Sequence, residues 1–407
     1  MNIWLINHYA VPPKYYPLTR AANFAKYLIK KGHSVTIFAA STVHYSDINL
    51  VDDSSLYKEI EDNGIPYVLV KCHGYKGNGL SRIFNMFEFA MKLPSVCSGF
   101  AKPDAVVATS IPPMSCAAGV HLARKYHAKA VAEIADLWPE SLVAYKLASP
   151  FSPAVFFLRK VEKWIYKNAD SVVFTMGGAY DYIVERGWEQ TIPRSKVSFI
   201  NNGVDLEAYD YNREHFSLDD SDLDDPKTFK IIYTGSLGLV IREQLLFLMD
   251  AIGCLRSTEY KNYRFLIYGK GELLPELEDV CKKRGYSNVL FKGYVEKKYI
   301  PYILSKCNLN ILHCRGCYLL NKYGDSQNKM FEYIASGHPT IAGTDGKYSV
   351  IANNRCGISK CFSTPQELAD AIVKLEKFPI SGDHIRSVAE KYDFKHLTDE
   401  LLRVLGE

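Results

Sequence analysis

The sequence predicts an α/β chain of two Rossmann-like domains, each a doubly wound parallel sheet, facing one another across a cleft. Three observations carry this. The chain has 407 residues, too many for one ordinary core, so two domains of roughly 200 residues are the default. Short apolar runs alternate with stretches of helical spacing almost from the first residue, as in βαβ units. The alternation is interrupted by an acidic segment and then starts again.

The first series opens with Ile3-Trp4-Leu5-Ile6 as a strand. Residues 19–31 follow with helical spacing, placing Ala21, Phe24, Ala25, Leu28 and Ile29 on one face. Gly32 stops that helix, and Val35-Thr36-Ile37-Phe38-Ala39 is the next strand. Further strands are predicted at 67–70, 105–108, 130–133, 171–174 and 197–200. The second series starts with Lys230-Ile231-Ile232-Tyr233-Thr234, followed by a glycine-bearing turn and a helix through 244–255. Strands at 264–268, 289–291, 309–312 and 340–342 continue it. Between the two lies Asp219-Asp220-Ser221-Asp222-Leu223-Asp224-Asp225-Pro226, a charge run ending in proline, which reads as a solvated linker. The predicted domains are therefore 1–218 and 226–388. Ligands in such folds bind at the carboxyl ends of the strands.

Composition excludes several classes of function. Apolar residues make up 47% and charged residues 23% of the chain, which is ordinary for a globular protein and excludes disorder over most of its length. The net charge is +4, with 22 basic against 17 acidic residues in 1–205 and 27 against 28 beyond. That is too mild for a nucleic-acid binder. It suits a half that approaches anionic lipid or a phosphate-bearing acceptor, and equally a simple surplus of surface lysines. The N-terminus has neither the basic region nor the apolar core of a signal peptide, and no run of about 18 apolar residues follows. A cytoplasmic location is expected.

The ten cysteines are scattered, as expected of reduced, partly buried thiols. Cys314 and Cys317 form a Cys-x-x-Cys behind His313 and Cys307. A zinc site needs a second pair, and Cys356 with Cys361 has poor spacing for one. Two thiols at the end of a buried strand is the preferred reading, and no metal is expected.

Four segments carry chemistry. Tyr233-Thr234-Gly235-Ser236-Leu237-Gly238 is a strand running into a glycine turn before a helix. Glycines there let backbone approach a ligand, and the helix start offers N–H groups to phosphate. The spacing is not Gly-x-Gly-x-x-Gly, so no nicotinamide cofactor is implied. Arg242 lies within reach of the same anion; a tight turn without ligand is the alternative. Tyr268-Gly269-Lys270-Gly271-Glu272 and Phe291-Lys292-Gly293-Tyr294-Val295 repeat the arrangement at the next two strand ends. Asn202-Gly203-Val204-Asp205 by itself is only a turn.

The fourth segment runs from Gly324 to Pro339. A polar loop leads into a helix with Lys329 in its first turn and Glu332 three residues on, hence on one face. A lysine near a helix N-terminus opposes the helix dipole unless an anion lies between them. A carboxylate one turn on can accept both hydroxyls of a ribose. A local Lys–Glu pair on a solvated helix is the other reading.

In sequence order these segments resemble retaining glycosyltransferases of the GT-B fold, in family 4, and within it the bacterial surface-polysaccharide (O-antigen and capsule) branch. Asn7-His8-Tyr9, Pro12-Pro13, Arg20 and Lys31-Gly32-His33-Ser34-Val35-Thr36 resemble the family's opening strand, loop and second strand. Ala135-Asp136-Leu137-Trp138-Pro139-Glu140 resembles its "RDLWPE" signature. Asn202-Gly203-Val204-Asp205 matches "PNGVD", and Asn328-Lys329-Met330-Phe331-Glu332-Tyr333 matches "SKLFEY". The resemblance spans essentially the whole chain.

The resemblance implies a nucleotide-sugar donor, a UDP-sugar above all, and a glycan acceptor linked to polyprenyl diphosphate. It assigns Arg242 and Lys329 to the donor diphosphate, helped by the turn with Gly235, Ser236 and Gly238, and counts Asn328 and Asp325 among the donor-binding residues. Glu332 takes the ribose, and the turns with Gly269, Glu272, Tyr294 and Val295 bracket the base. Tyr9 and Arg20 fall on the acceptor side, and a C-terminal helix over 389–407 returns to the N-terminal domain. Side chains rather than a metal neutralise the leaving diphosphate. Two positions depart from the pattern: Gly324 stands where an acidic residue is expected, with Asp325 next to it, and Ala135 stands where many members have histidine. Asp136 is then the remaining polar group for the transferred sugar, or else an N-cap for the turn that follows it.

Residues 83–100 are rich in Phe and Met with few charges. They read either as a segment lying on the inner face of the cytoplasmic membrane, near a lipid-linked acceptor, or as an ordinary helix packed on the sheet. Two rival functions remain. A sugar-nucleotide epimerase of similar architecture would need no acceptor, and the segments at 135–140 and 202–205 argue against it. A catalytically silent binding scaffold draws support from Gly324 and Ala135.

Overall fold

The computed structural model describes residues 1–17, 19–44, 46–77, 79–255, 262–313, 322–344 and 346–407. The chain divides into two compact units, Met1–Asn201 with Phe394–Glu407, and Asn202–Asp393. Cys314 and Cys317 lie outside the described residues.

The first unit is built on an eight-stranded sheet of order β3-β4-β2-β1-β5-β6-β7-β8. Its strands are β1 (Asn2–Ile6), β2 (Ser34–Ala40), β3 (Tyr57–Asp62), β4 (Ile65–Val70), β5 (Ala105–Thr109), β6 (Lys129–Ile134), β7 (Ser171–Phe174) and β8 (Val197–Phe199). All pair in parallel except β3, which runs antiparallel to β4. The central strands are mostly apolar, Ala105–Thr109 being buried throughout. That is how a parallel sheet covered on both faces must read.

The helices of this unit are α1 (Arg20–Lys30), α2 (Leu80–Cys97), α3 (Pro113–Tyr126), α4 (Glu140–Ala144), α5 (Pro153–Asn168) and α6 (Ala179–Glu185). Right-handed crossovers decide where they go. The chain moves one way along the sheet from β1 to β2, and the other way from β4 to β5, β6 and β7. The helix α1 therefore lies on one face, against the C-terminal helix through Phe24 and Phe394. On the other face α3 packs on both α2 and α5.

The second unit has a six-stranded, wholly parallel sheet of order β11-β10-β9-β12-β13-β14. Its strands are β9 (Phe229–Thr234), β10 (Tyr263–Tyr268), β11 (Val289–Gly293), β12 (Leu309–His313), β13 (Thr340–Ala342) and β14 (Gly357–Ser359). Its helices are α7 (Leu206–His215), α8 (Ser221–Asp224), α9 (Arg242–Cys254), α10 (Leu274–Arg284), α11 (Ile300–Ser305), α12 (Asn328–Ala335), α13 (Val350–Asn353), α14 (Pro365–Lys377) and α15 (Gly382–Glu390). The last helix, α16 (Phe394–Leu405), belongs to the first unit.

The acidic segment is not the solvated linker its charge suggested, and the first boundary falls at Asn201 rather than near 218. Leu223 is fully buried and anchors α8 to the second unit. Its carboxylates then find cations: Lys292 Nζ meets Asp220 at 2.7 Å and Asp222 at 2.6 Å, and Lys306 meets Asp224 at 3.1 Å. One apolar anchor with matched lysines outweighs the solvation of an acidic run. Among the described residues, no helix is long and apolar enough to cross a membrane.

Candidate functional site

In a doubly wound sheet the ligand crevice opens where the strand order reverses. In the second unit that point lies between β9 and β12. The predicted donor residues cluster there, on turns that follow β9, β10 and β11 and on α12.

The three glycine turns are laced together by main-chain hydrogen bonds. The N–H of Gly235 donates to Tyr268 O at 2.9 Å, that of Leu237 to Lys270 O at 3.0 Å, and that of Gly269 to Gly293 O at 2.8 Å. The approach is too close for side chains. A Cβ at Gly269 would lie 1.8 Å from Gly235 O, and one at Gly271 would lie 2.3 Å from Leu237 O. Gly235 also adopts φ +147°, a region other residues avoid.

The helix α12 delivers Lys329 and Glu332 to this rim. It buries Met330, Phe331, Tyr333 and Ile334, so Lys329 and Glu332 fall on its other side. The N-cap Gln327 makes no side-chain cap. The buried Tyr333 hydroxyl accepts the Thr234 N–H at 2.8 Å and pairs with Thr234 Oγ1 at 3.0 Å, fixing α12 against the end of β9. Lys329 Nζ consequently sits 4.1 Å from the Tyr233 ring centroid. A Cβ on Gly235 would come within 3.2 Å of it. The ammonium thus stands directly against the first glycine turn.

Glu332 does not form the local pair with Lys329 that was one reading of the sequence. Its Oε1 meets Lys297 Nζ at 3.3 Å, and Lys297 comes from the short turn before α11. Ser236 Oγ and Glu272 Oε2 lie 3.2 and 3.7 Å from where a Cβ on Gly238 would stand, which places both on the first two turns. Tyr294 is exposed, with Lys270 Nζ 4.8 Å from its ring centroid, and Val295 is packed against the core. Asp325 is buried behind Gly324, which has φ +108°. Asn202 binds the same loop, its N–H and Nδ2 reaching Ser326 at 3.3 and 2.7 Å. Arg242 opens α9 but is committed to Glu276, through Nε at 2.9 Å and through Nη2. Its charged group is thus spent on a half-exposed ion pair.

In the first unit, Asp136 follows β6. The helix α4 starts only at Glu140, with Pro139 as its N-cap. The Asp136 side chain is open to solvent yet hemmed in by protein, and desolvation pushes its carboxyl up to about 6. A concave surface lets water reach the carboxylate while still stripping its bulk hydration. Arg20 is a staple rather than a free cation: it pairs with Glu133 at 2.9 Å and donates to the carbonyls of Ile200 and Asn201 at 3.0 and 2.6 Å. Tyr9 is buried, its hydroxyl accepting from Arg82 at 3.0 and 2.8 Å. Beside it His8 is wholly buried and held by Asn85 at 2.7 Å, and burial lowers its pKa to about 3.

Sequence reasoning missed Tyr333, Lys297 and Tyr233. Tyr333 was visible as the residue after Glu332, but its partner, Thr234, is 99 positions away. Among the described residues, no group of three His, Cys, Asp or Glu side chains could hold a metal ion.

Residues 19–208 match the family model described as Glycosyltransferase Family 4, and residues 228–377 match that for glycosyl transferases group 1. No curated protein matches the chain in sequence. Among solved structures, sucrose-phosphate synthase from Thermosynechococcus elongatus superposes with a TM-score of 0.70 at 15% identity, over 99% of this chain and 98% of that one. The Anabaena protein HepE, solved in complex with UDP, gives 0.67 at 14% identity over 100% of both chains. WaaG, a glycosyltransferase involved in lipopolysaccharide biosynthesis, gives 0.64 at 14% identity, over 100% of this chain and 99% of that one. At such identities the structural likeness speaks for the fold alone.

Proposed function

The chain is a glycosyltransferase of the GT-B fold, and we propose that it is a retaining, family 4 enzyme of surface-polysaccharide synthesis. It takes a sugar from a UDP-sugar and passes it to a glycan carried on polyprenyl diphosphate. The observation that carries the donor reading is the placement of Lys329 Nζ against the Gly235 turn at the switch point of the second sheet.

Breaking a glycosyl–phosphate bond builds negative charge on the leaving diphosphate. A fixed ammonium and main-chain N–H groups at that spot favour the transition state over the ground state. Lys329 supplies the ammonium, and the uncapped start of α12 adds the favourable end of a helix dipole. Arg242 joins by exchanging Glu276 for phosphate, a small cost because an exposed ion pair contributes little. Glu332 accepts the ribose hydroxyls, already turned inward by Lys297. The three laced turns carry the base and phosphates on main chain. Asp136 contacts the transferred sugar, and Glu272 and Glu332, the carboxylates at the donor turns, bind the nucleotide. Retention then follows from same-face attack, with the leaving phosphate taking the proton of the acceptor hydroxyl.

The test is turnover with nucleotide-sugar donors chosen by thermal stabilisation, since a bound donor raises stability by mass action. Lys329→Ala is expected to lower kcat by about 100- to 1000-fold with an unchanged melting profile. Near-normal turnover removes Lys329 from the phosphate role. An inverted anomeric product overturns retention. Conversion of the UDP-sugar without any acceptor favours the epimerase, and binding without chemistry favours a silent scaffold.

A further inference from the structure

The first unit carries a cavity of about 360 Å³ whose lining includes Thr42, Asp47 and Asn49 after β2, Tyr75 and Lys76 after β4, and Ser81 at the start of α2. The strands β2 and β4 are parallel neighbours, so both reach the carboxyl edge of the sheet here. That is the edge where ligands bind in such folds, and the volume suits a small one.

The walls are tied by main chain and by a buried ring. The N–H of Val43 donates to Ile48 O at 3.0 Å, that of Leu50 donates to Ser41 O at 2.8 Å, and Thr42 bridges Asn49. Behind them His44 is buried, with its Nδ1 2.6 Å from the Tyr75 hydroxyl. The rings of Tyr9 and Tyr16 lie 4.8 and 5.7 Å from that imidazole. Burial, helped by the Arg82 charge, lowers His44 to about 4, so it is neutral at pH 7 and serves as a hydrogen-bonding group. Tyr75 is thereby held in place as a half-buried ring at the cavity wall.

The charges of the cavity cancel. Lys76 Nζ lies 3.4 Å from Asp47 Oδ1, with the two side chains 87% and 77% exposed. Such a pair contributes little and gives way readily to hydroxyl partners. A fixed ring takes a C–H face of a pyranose, while a carboxylate, an ammonium and hydroxyls take its polar groups. A diphosphate would face the Asp47 carboxylate, and a hydrocarbon chain would strip water from both charges without replacing it.

The cavity stands apart from the place of transfer. Asp136 follows β6, and in the order β4-β2-β1-β5-β6 three strand spacings separate β6 from β2, and four separate it from β4. At about 4.8 Å each, that is roughly 14–19 Å, the reach of about three linked sugar rings.

We infer that this cavity is a remote subsite for an uncharged sugar of the acceptor, several rings away from the hydroxyl that is glycosylated. The inference rests on the transferase reading above, with Asp136 marking the reacting end. It makes the acceptor an oligosaccharide rather than a single sugar on its carrier, so the enzyme extends an existing chain. Earlier glycosyl transfers onto the same carrier must then supply the substrate.

The test is binding of the purified full chain to an array of immobilised mono- to pentasaccharides of neutral hexoses and N-acetylhexosamines. The wild type is expected to hold trisaccharides and longer glycans about tenfold or more tighter than monosaccharides. Tyr75→Ala, and separately Asp47→Ala with Lys76→Ala, should each weaken the longer glycans by about tenfold. Asp47 and Lys76 are exposed, so their loss leaves the fold intact even where Tyr75→Ala loosens the His44 contact. UDP-induced thermal stabilisation reports the donor reading by itself and should be unchanged in both variants. Equal affinity for monosaccharides, retention of no glycan, or wild-type retention by the Asp47 and Lys76 double variant overturns the inference. So does displacement of the bound glycan by inorganic diphosphate, because the cavity would then hold the phosphates of the carrier.

Discussion

The Tyr333 hydroxyl accepts the Thr234 backbone N–H at 2.8 Å, across 99 positions of sequence, and so joins helix α12 to the end of β9. Every reading of Lys329 and Glu332 depends on that joint. Tyr333→Phe leaves a buried donor unsatisfied and should cost about 1–3 kcal/mol. Calorimetry should show a lowered Tm, and titration should show weakened binding of UDP, because α12 is no longer held in register with the Gly235 turn. Unaltered UDP affinity would mean that apolar packing alone positions the helix.

Gly269→Ala drives a methyl group to within 1.8 Å of the Gly235 carbonyl. The neighbour is main chain and cannot rotate away, so a loss of about 2–4 kcal/mol is expected, together with donor binding. Gly74→Ala is the control, since a Cβ there meets nothing within 4 Å. Urea denaturation of the two variants should differ accordingly.

Lys297 holds Glu332 at 3.3 Å from outside α12. Lys297→Met should release that carboxylate towards solvent and raise the donor KM by about threefold to tenfold, with kcat nearly unchanged, as for lost uniform binding. Lys297→Arg should restore most of the affinity. A fall in kcat at constant KM would place Lys297 in the chemistry instead.

Asp136 predicts a pH limb. Desolvation raises its carboxyl to about 6, above the usual value of about 3.9. If the ionised form contacts the sugar, kcat/KM falls as pH drops through about 6, and Asp136→Asn abolishes the limb along with most of the activity. Stability moves the other way. A carboxyl raised on folding favours the folded state below its unfolded pKa and loses that contribution as pH rises through the folded one. Asp136→Asn should therefore melt higher than the wild type at pH 7 and converge with it near pH 4.

Both sheets were legible because their central strands are short, mostly apolar runs such as Ala105–Thr109 and Phe229–Thr234. The strand β3 was not. Its residues are polar and half exposed, and only Asn63-Gly64, both with positive φ, marks the hairpin it makes with β4. The acidic segment misled because charge patterning is a local signal, while Lys292 and Lys306 come from distant elements. The glycine turns and α12 could be read as a donor site from their order alone. That Arg242 spends its charge on Glu276 depends on a helix packing angle, which no spacing in the sequence encodes.

The lacing of the three turns separates what can vary from what cannot. Hydrogen bonds join Gly235 to Tyr268, Leu237 to Lys270 and Gly269 to Gly293 through main chain only. Side-chain identity at Ser236, Lys270, Glu272 and Tyr294 therefore leaves the scaffold untouched. A change of base or sugar preference can accumulate at these four positions by single substitutions, each folding as well as its parent, while Gly269 and Gly271 stay frozen.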